Sequence, residues 1–589
     1  MKISMVIEEK LSAYITKSKK LNPSNFQKKI KVALLSNFTL DGLNETISVK
    51  CADIQIGCNA FVGGYNQYNE EILNDKSKLY SFSPDICFLI LDTRKILGDL
   101  FFSPYNLPVE KRREFIQNKV DELTNLVKSF IEKSNSKLAV SNLVVPTFSP
   151  YGIIEAKVAY GLQEMVHDFN QKLSDICKDE DSAYLYDLNR FVAKFGQNNV
   201  FDYRQYFFGD VKISLNYIPF LANELLGFIK PILGLNKKCI VLDLDNTLWG
   251  GIVGEDGFNG IKLSHNDPIG RAFIEFQKYL LSLHERGIIL AVNSRNNLED
   301  AINVIKDHPN MVLREEHFAC LKINWNDKVT NFYEIAQELN IGLDSMVFLD
   351  DDQVNRDFVC TSIPEVLTVE LPNDPSLYVP TLTELNDFHV LKITEEDKKR
   401  GKMYLQQRKR TEFKKNVPNF EEYLKQLNIK VKIKKATDFT IPRISQLTLK
   451  TNQFNLTTKR YQEEDVRKFS QDKKKIIGCA QIEDKFGDNG ITNVFIIDKE
   501  NEREWVIDTF LLSCRVIGRG IENAILSHIF KNAKNEGVKK IKAYFIPSKK
   551  NKPAETFLPD FGFRKEDDYW IYDLNNAVKS PNHLMLEVE

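Results

Sequence analysis

The chain has 589 residues, 80 of them basic and 81 acidic, for a formal charge of −1; such a length predicts roughly three or four domains of about 150 residues each. The ordinary globular composition and near-neutral charge exclude a globally basic nucleic-acid binder and a protein held to anionic membranes by its charge. Apolar runs fit buried strands and none approaches the ~20 residues of a membrane span, while nine cysteines without a CxxC pair point to reduced thiols in a cytoplasmic setting and away from a zinc site.

The first residues, Met1-Lys2-Ile3-Ser4, lead into a polar segment rather than an apolar signal region. Residues 1–230 then alternate short apolar runs (Val32-Ala33-Leu34-Leu35, Cys87-Phe88-Leu89-Ile90-Leu91, Leu138-Ala139-Val140) with helical stretches such as 110–133. That alternation predicts a parallel sheet flanked by helices. Leu34-Leu35-Ser36-Asn37-Phe38-Thr39 and Val62-Gly63-Gly64-Tyr65-Asn66-Gln67-Tyr68 resemble the opening blocks of an SGNH-hydrolase-like fold. A hydrolase of that kind needs a histidine as base, yet none occurs before His167 and none stands in an Asp-x-x-His pair near residues 202–222. The domain is therefore expected to bind or cover rather than to hydrolyse, with Ser36 a turn residue or a phosphate contact.

Residues 237–387 repeat the alternation with sharper motifs. Cys239-Ile240-Val241-Leu242 is an apolar run of strand type that ends in Asp243-Leu244-Asp245-Asn246-Thr247-Leu248-Trp249-Gly250-Gly251. Two acids delivered at the carboxyl end of a strand stand where parallel α/β sheets bind ligands. A second strand pattern over 287–292 ends at Asn293-Ser294-Arg295-Asn296, and Asn324-Trp325-Asn326-Asp327-Lys328 supplies a lysine suited to phosphate. A third, Met346-Val347-Phe348-Leu349, ends at Asp350-Asp351-Asp352. The D-x-D-x-T string resembles motif one of the haloacid dehalogenase-like (HAD) phosphatases, and the other three groups follow in that family's order. The resemblance implies Asp243 as nucleophile, Asp245 as acid and then base, Thr247, Ser294 and Lys328 on the phosphoryl oxygens, and Mg²⁺ on Asp243, Asp245, Asp350 and Asp351. A carboxylate facing a phosphate needs its charge neutralised, which a bound Mg²⁺ does. Asp352 reads as a solvated neighbour or a helix cap, and Trp249 as packing. About 50 residues separate Asp243 from Ser294 and about 34 separate Ser294 from Lys328. Each segment has room for one helix and its loops but not for an inserted cap domain.

Residues 392–438 are highly charged and include Lys398-Lys399-Arg400 and Arg408-Lys409-Arg410. Thr394 with Asp397 resembles a capping box, so this segment reads as a solvated connecting helix. Residues 441–575 read as α+β. A strand over 505–512 leads to Ser513-Cys514-Arg515-Val516-Ile517-Gly518-Arg519-Gly520 and a helix from about Ile521. R-x-x-G-x-G before a helix resembles the acyl-CoA pyrophosphate loop of GNAT N-acyltransferases, where glycines let backbone N–H groups approach phosphate and arginines add charge. Asn551, Ala554, Phe557 and Phe561-Gly562-Phe563 resemble that family's closing motif. The resemblance assigns CoA or phosphopantetheine to Arg515, Gly518, Arg519, Gly520 and Asn551. Cys514 has two readings: a thiol beside a helix N-terminus that carries an acyl group as a thioester, or a buried thiol.

As a whole the chain resembles the FkbH family (HAD subfamily IIIC) from residue 31 to 563, most specifically at 34–42, 62–68, 243–257, 323–328, 451–458 and 508–520. The implied architecture is an SGNH-like α/β domain, a capless HAD-like Rossmannoid domain and a GNAT-like α+β domain. The implied activity is Mg²⁺-dependent removal of phosphate from 1,3-bisphosphoglycerate, with loading of the glyceryl unit on the phosphopantetheine thiol of an acyl carrier protein. Many members carry cysteine where this chain has Asn293, which bears on glyceryl transfer but not on phosphatase chemistry. The alternative is a phosphatase of a sugar or acyl phosphate in surface-polysaccharide synthesis, with a C-terminal amine acyltransferase.

Overall fold

The computed structural model describes residues 2–3, 9–393, 400–415, 417–548, 550–575 and 581–589. The chain divides into two compact units, Ile7–Leu233 and Gly234–Glu589 with the first residues Met1–Val6 added to the latter. Among the described residues no helix is long and apolar enough to cross a membrane.

The strands, in chain order, begin with Lys2–Ile3 (β1), which belongs to the second unit. The first unit holds Lys28–Ser36 (β2), Ile56–Val62 (β3), Ile86–Ile90 (β4), Lys137–Ser141 (β5) and Ala183–Tyr186 (β6). They form an all-parallel sheet in the order β3-β2-β4-β5-β6. Every residue of β4 and β5 is buried, the near-continuous apolar pattern of strands covered on both faces. The helices Val109–Lys133 and Leu162–Asp179 supply part of that cover through Ile116, Val127, Phe130, Met165 and Phe169. At the β2/β4 switch point Ser36 forms a turn, its Oγ accepting from the Phe38 N–H at 3.0 Å. Asp92 beside it takes the Tyr206 hydroxyl at 3.1 Å and pairs with Lys212.

The central sheet consists of Cys239–Leu242 (β7), Ile289–Ser294 (β8), Phe318–Ile323 (β9), Met346–Asp350 (β10) and Leu367–Glu370 (β11), with β1 at one edge. Its order is β1-β11-β10-β7-β8-β9, all parallel. The pairing of Lys2 with Thr368 takes the first residues out of the N-terminal domain to which the sequence assigned them. Between β7 and β8 lie a four-residue turn of helix, Val253–Asp256, and the helix Pro268–Glu285, with no inserted cap.

The C-terminal sheet comprises Ile429–Lys435 (β12), Phe454–Asn455 (β13), Lys475–Asp484 (β14), Gly487–Asn501 (β15), Glu504–Leu512 (β16), Lys540–Ala543 (β17), Arg564–Glu566 (β18), Tyr569–Asp573 (β19) and Leu584–Val588 (β20). The order is β18-β19-β17-β16-β15-β14-β12-β20, antiparallel except for the β16–β17 and β12–β20 pairs, with β13 added beside β16. It is the α+β arrangement the resemblance implies.

The charged segment differs from its sequence reading. The Thr394–Asp397 box and Lys398-Lys399 lie outside the described residues. The helix Arg400–Lys415 is not solvated along its length: Tyr404 packs in the central domain's core, and Arg410 is 0% exposed and bidentate on Asp484 at 2.7 and 2.8 Å. The same segment contains β12, whose Ile429, Val431 and Ile433 alternate with lysines and face the C-terminal core. That period of two is the signature of a half-buried strand.

Candidate active site

The carboxyl edge of the central sheet gathers the acids. The residues of β7 are apolar and fully buried, and the Asp243 N–H extends the ladder by donating to the Leu349 carbonyl at 2.9 Å. Because Leu242 is in register with Leu349, Asp243 emerges beside Asp350, the last residue of β10. Carboxylate oxygens of Asp243, Asp350 and Asp351 lie within 4.8 Å of one another. Arg356 donates to the carbonyls of Asp350 and Asp351 at 2.7 and 2.5 Å and fixes that turn. Asp352 caps the helix Gln353–Ser362 by accepting from the Val354 N–H at 2.9 Å, as expected for a residue outside the chemistry.

Lys328 opens the helix Lys328–Leu339, which Asp327 caps through the Thr330 N–H. Its side chain is 1% exposed. The Nζ donates to Asp243 at 2.8 Å and to the Asn293 carbonyl at 2.7 Å, and lies 3.1 Å from Asp350. Burial works against the ammonium, but Asp243 and Asp350 outweigh it and hold its pKa above the ordinary lysine value. Asn293 builds this seat: its Nδ2 donates to the Lys328 carbonyl at 2.9 Å and its Oδ1 accepts from Asn331 at 3.0 Å, with the whole side chain buried. Ser294, the last residue of β8, is buried on the same edge, and the Thr247 Oγ1 lies 3.4 Å from Asp351.

Burial, and then the neighbouring Asp243, push the Asp350 carboxyl up to about 7 and the Asp351 carboxyl up to about 6. Three clustered carboxylates against a single ammonium are short of positive charge. Their all-oxygen donor set with no cysteine or histidine fits a hard divalent cation such as Mg²⁺. A pH dependence follows. In the metal-free protein the folded state keeps protons that the unfolded chain has already released, so its stability falls as pH rises from about 4 to about 7. Mg²⁺ must displace the same protons, so its affinity weakens as pH falls through 7 and 6. Thermal melts with and without Mg²⁺ are expected to differ most near pH 8 and to converge below about pH 5.5; a Mg²⁺-induced shift independent of pH would contradict the carboxylate cluster as its site.

The Asp245 carboxylate stands outside this group of three. Its Oδ1 accepts from the Trp249 Nε1–H at 2.8 Å and the Val253 N–H at 3.1 Å, and its Oδ2 from Asn296 at 2.8 Å. Burial pushes its pKa up against these donors. Trp249 is fully buried in the core as the sequence implied, and in addition it donates to the acid. Asn296 and Arg356 were not singled out by sequence reasoning, and Asn293 was marked there only by the cysteine it replaces.

The C-terminal loop departs further from its reading. Gly518 and Gly520 have φ of +78° and +76°, and an added Cβ at Gly518 meets nothing within 4 Å, so the backbone at that point is open. Gly520 stands at the N-terminus of the helix Ile521–Asn535. The two arginines, however, turn inward. Arg515 reaches the Met403 sulfur at 2.7 Å, and Arg519 donates to Asp484 at 3.1 Å, Gln407 at 3.0 Å and the Arg515 carbonyl at 2.7 Å. Both guanidinium groups are committed to the interior, where burial lowers the pKa of Arg519. Asn551 is likewise a buried bracket, donating to the carbonyls of Asn455 and Ile546 at 3.0 and 2.9 Å. Cys514 packs against the central domain's core, and its carbonyl accepts from Asn340, the cap of the helix that Lys328 begins.

Residues 31–230 match the family described as FkbH, N-terminal domain. A 135-residue stretch is 32% identical to a HAD-like hydrolase superfamily protein of Schizosaccharomyces pombe, covering 20% of this chain and 78% of that protein. The chain is also similar to the crystal structure of the N-terminal part of the protein BF1531 from Bacteroides fragilis, which contains a phosphatase domain and is complexed with Mg. The TM-score is 0.60 at 30% identity, over 65% of this chain and 100% of that one. A smaller likeness, at 13% identity and a TM-score of 0.20, is to the ribosomal-protein-S18-alanine N-acetyltransferase of Escherichia coli, over 25% of this chain and 96% of that one.

Proposed function

Because the chain belongs to the HAD-like hydrolase superfamily and carries an FkbH N-terminal domain, we propose that it is a Mg²⁺-dependent phosphatase acting through an aspartyl phosphate, coupled to loading of a glyceryl or acyl unit on a carrier-protein thiol. The observation that carries the first half is the Asp243–Lys328 contact at 2.8 Å beside Asp350 and Asp351. The Asp243 carboxylate attacks phosphorus, the bond to the leaving oxygen breaks, and Asp245 gives that oxygen its proton. Water then cleaves the aspartyl phosphate, giving its proton to Asp245 and restoring Asp243. Lys328 holds the nucleophile and balances charge from below, while Thr247 and Ser294 offer hydroxyls to phosphoryl oxygens. A Mg²⁺ held by Asp243, Asp350 and Asp351 would neutralise the substrate's phosphoryl charge.

The transfer half rests on the GNAT-like α+β domain and on the open backbone at Gly518, since the inward arginines leave N–H groups as the phosphate donors. Asn293 is buried at the lysine's seat and its amide cannot form a thioester, so transfer in this chain would have to proceed without an acyl group carried at position 293. The deciding experiment is intact-mass analysis of holo acyl carrier proteins incubated with enzyme, Mg²⁺ and 1,3-bisphosphoglycerate. A glyceryl adduct with phosphate release is the expected result; phosphate release with unchanged carriers would reduce the protein to a phosphatase of a sugar or acyl phosphate. Replacing Gly518 and Gly520 with valine forces a β-branched residue into positive φ. That double variant is expected to stop adduct formation and to leave turnover of small phosphate esters within about twofold.

A further inference from the structure

The carboxylate assigned above as acid and base is gripped from two different loops. The turn after β7 curls back on itself: Asn246 takes φ of +53° and Gly251 φ of +94°, and the Asn246 Oδ1 accepts from the Gly251 N–H at 2.8 Å. This brings Trp249 alongside Asp245, the two forming a backbone bridge, so that the indole N–H reaches the Asp245 Oδ1. From the loop after β8, Asn296 holds the Oδ2. Its own Oδ1 accepts from the Asn297 N–H at 3.0 Å, which fixes the amide with its NH₂ toward the acid. Core filling alone does not call for this arrangement. A phenylalanine at 249 would fill most of the same apolar space, and a leucine at 296 would approximate the asparagine in shape; what the chosen residues add is a donor to each oxygen of one carboxylate.

We infer that Trp249 and Asn296 are positioning residues that lock the Asp245 carboxylate in the single orientation from which it serves the leaving-group oxygen. The inference rests on the reading of Asp245 as the acid–base residue. A group that transfers a proton in the transition state is sensitive to small misplacements, and two charge-assisted hydrogen bonds from separate loops are an effective restraint.

The test is steady-state kinetics of the full chain at saturating Mg²⁺ with two phosphate monoesters, one of an alkyl alcohol and one of a strongly acidic phenol. Trp249→Phe and Asn296→Leu are each expected to lower kcat on the alkyl ester about 10-fold with KM within about twofold. On the aryl ester the loss should be smaller, about threefold, because an acidic phenol leaves without a full proton. In an Asp245→Asn background neither change should cost the residual alkyl turnover anything further. Equal losses on both esters, or an undiminished loss in the Asp245→Asn background, would show that the two side chains act only through the fold and would overturn the inference. Should Trp249→Phe melt below the assay temperature, Asn296→Leu, which sits in a loop, decides the question alone. Failure of the underlying phosphatase reading looks different: the wild type would then release phosphate from neither ester.

Discussion

Asp243→Asn is expected to yield a folded protein whose phosphate release falls by at least about 10⁴-fold. The amide cannot attack phosphorus, and no neighbour can substitute, since Asp350 and Asp351 sit on the adjoining strand end and Asp245 is held by Trp249, Val253 and Asn296. The same change removes one of three crowded carboxylates, and the Asp243 charge, after burial, helps push the Asp350 and Asp351 carboxyls up. The metal-free variant should therefore melt higher than the wild type at neutral pH, while its Mg²⁺-induced stabilisation shrinks. Phosphate release and thermal melts read both effects. Turnover near the wild-type level would remove Asp243 from the mechanism, and a lower metal-free melting temperature would show that its charge is not a source of strain.

Lys328→Met should cost both function and stability. The ammonium is almost wholly enclosed and touches Asp243, Asp350 and the Asn293 carbonyl. Removing it leaves buried carboxylates facing one another without a counter-charge, a situation that typically costs about 3–5 kcal/mol, and the loss of a preorganised charge at the phosphoryl group should lower kcat by about 10²–10³-fold. The two losses have different pH signatures. Protonation of Asp350 relieves the repulsion, so the stability deficit relative to wild type should be larger at pH 7.5 than at pH 5.5, and Mg²⁺ should restore part of it at the higher pH. A deficit equal at both pH values would mean that the methionine fails for reasons of shape alone.

The parts legible in the sequence are those with local causes. Apolar runs such as Cys87-Phe88-Leu89-Ile90 and Met346-Val347-Phe348-Leu349 are strands because nothing but a sheet covered on both faces buries them, and the acids that end β7 and β10 could be placed from the runs before them. What remained hidden depends on partners far along the chain. Arg410 looked solvated because its neighbours are charged, and only Asp484, 74 residues later, explains its burial. Lys2 and Ile3 find their strand partners at Thr368 and Val369. Arg515 and Arg519 fit a phosphate loop by spacing, and it takes Met403, Gln407 and Asp484 to turn them inward. Within β12 the lysines masked an alternation that was readable, Ile429, Val431 and Ile433 lying on one face.

The helix Lys328–Leu339 ends at Asn340, whose side chain is tied to the Cys514 carbonyl at the start of the glycine loop. Twelve residues of α-helix measure about 18 Å. In terms of transport, this helix is a fixed spacer between the carboxylate cluster and the glycine loop, the two stations that the proposed function would use. On the proposed function, an intermediate made at one end would have to cross about that distance to reach the other.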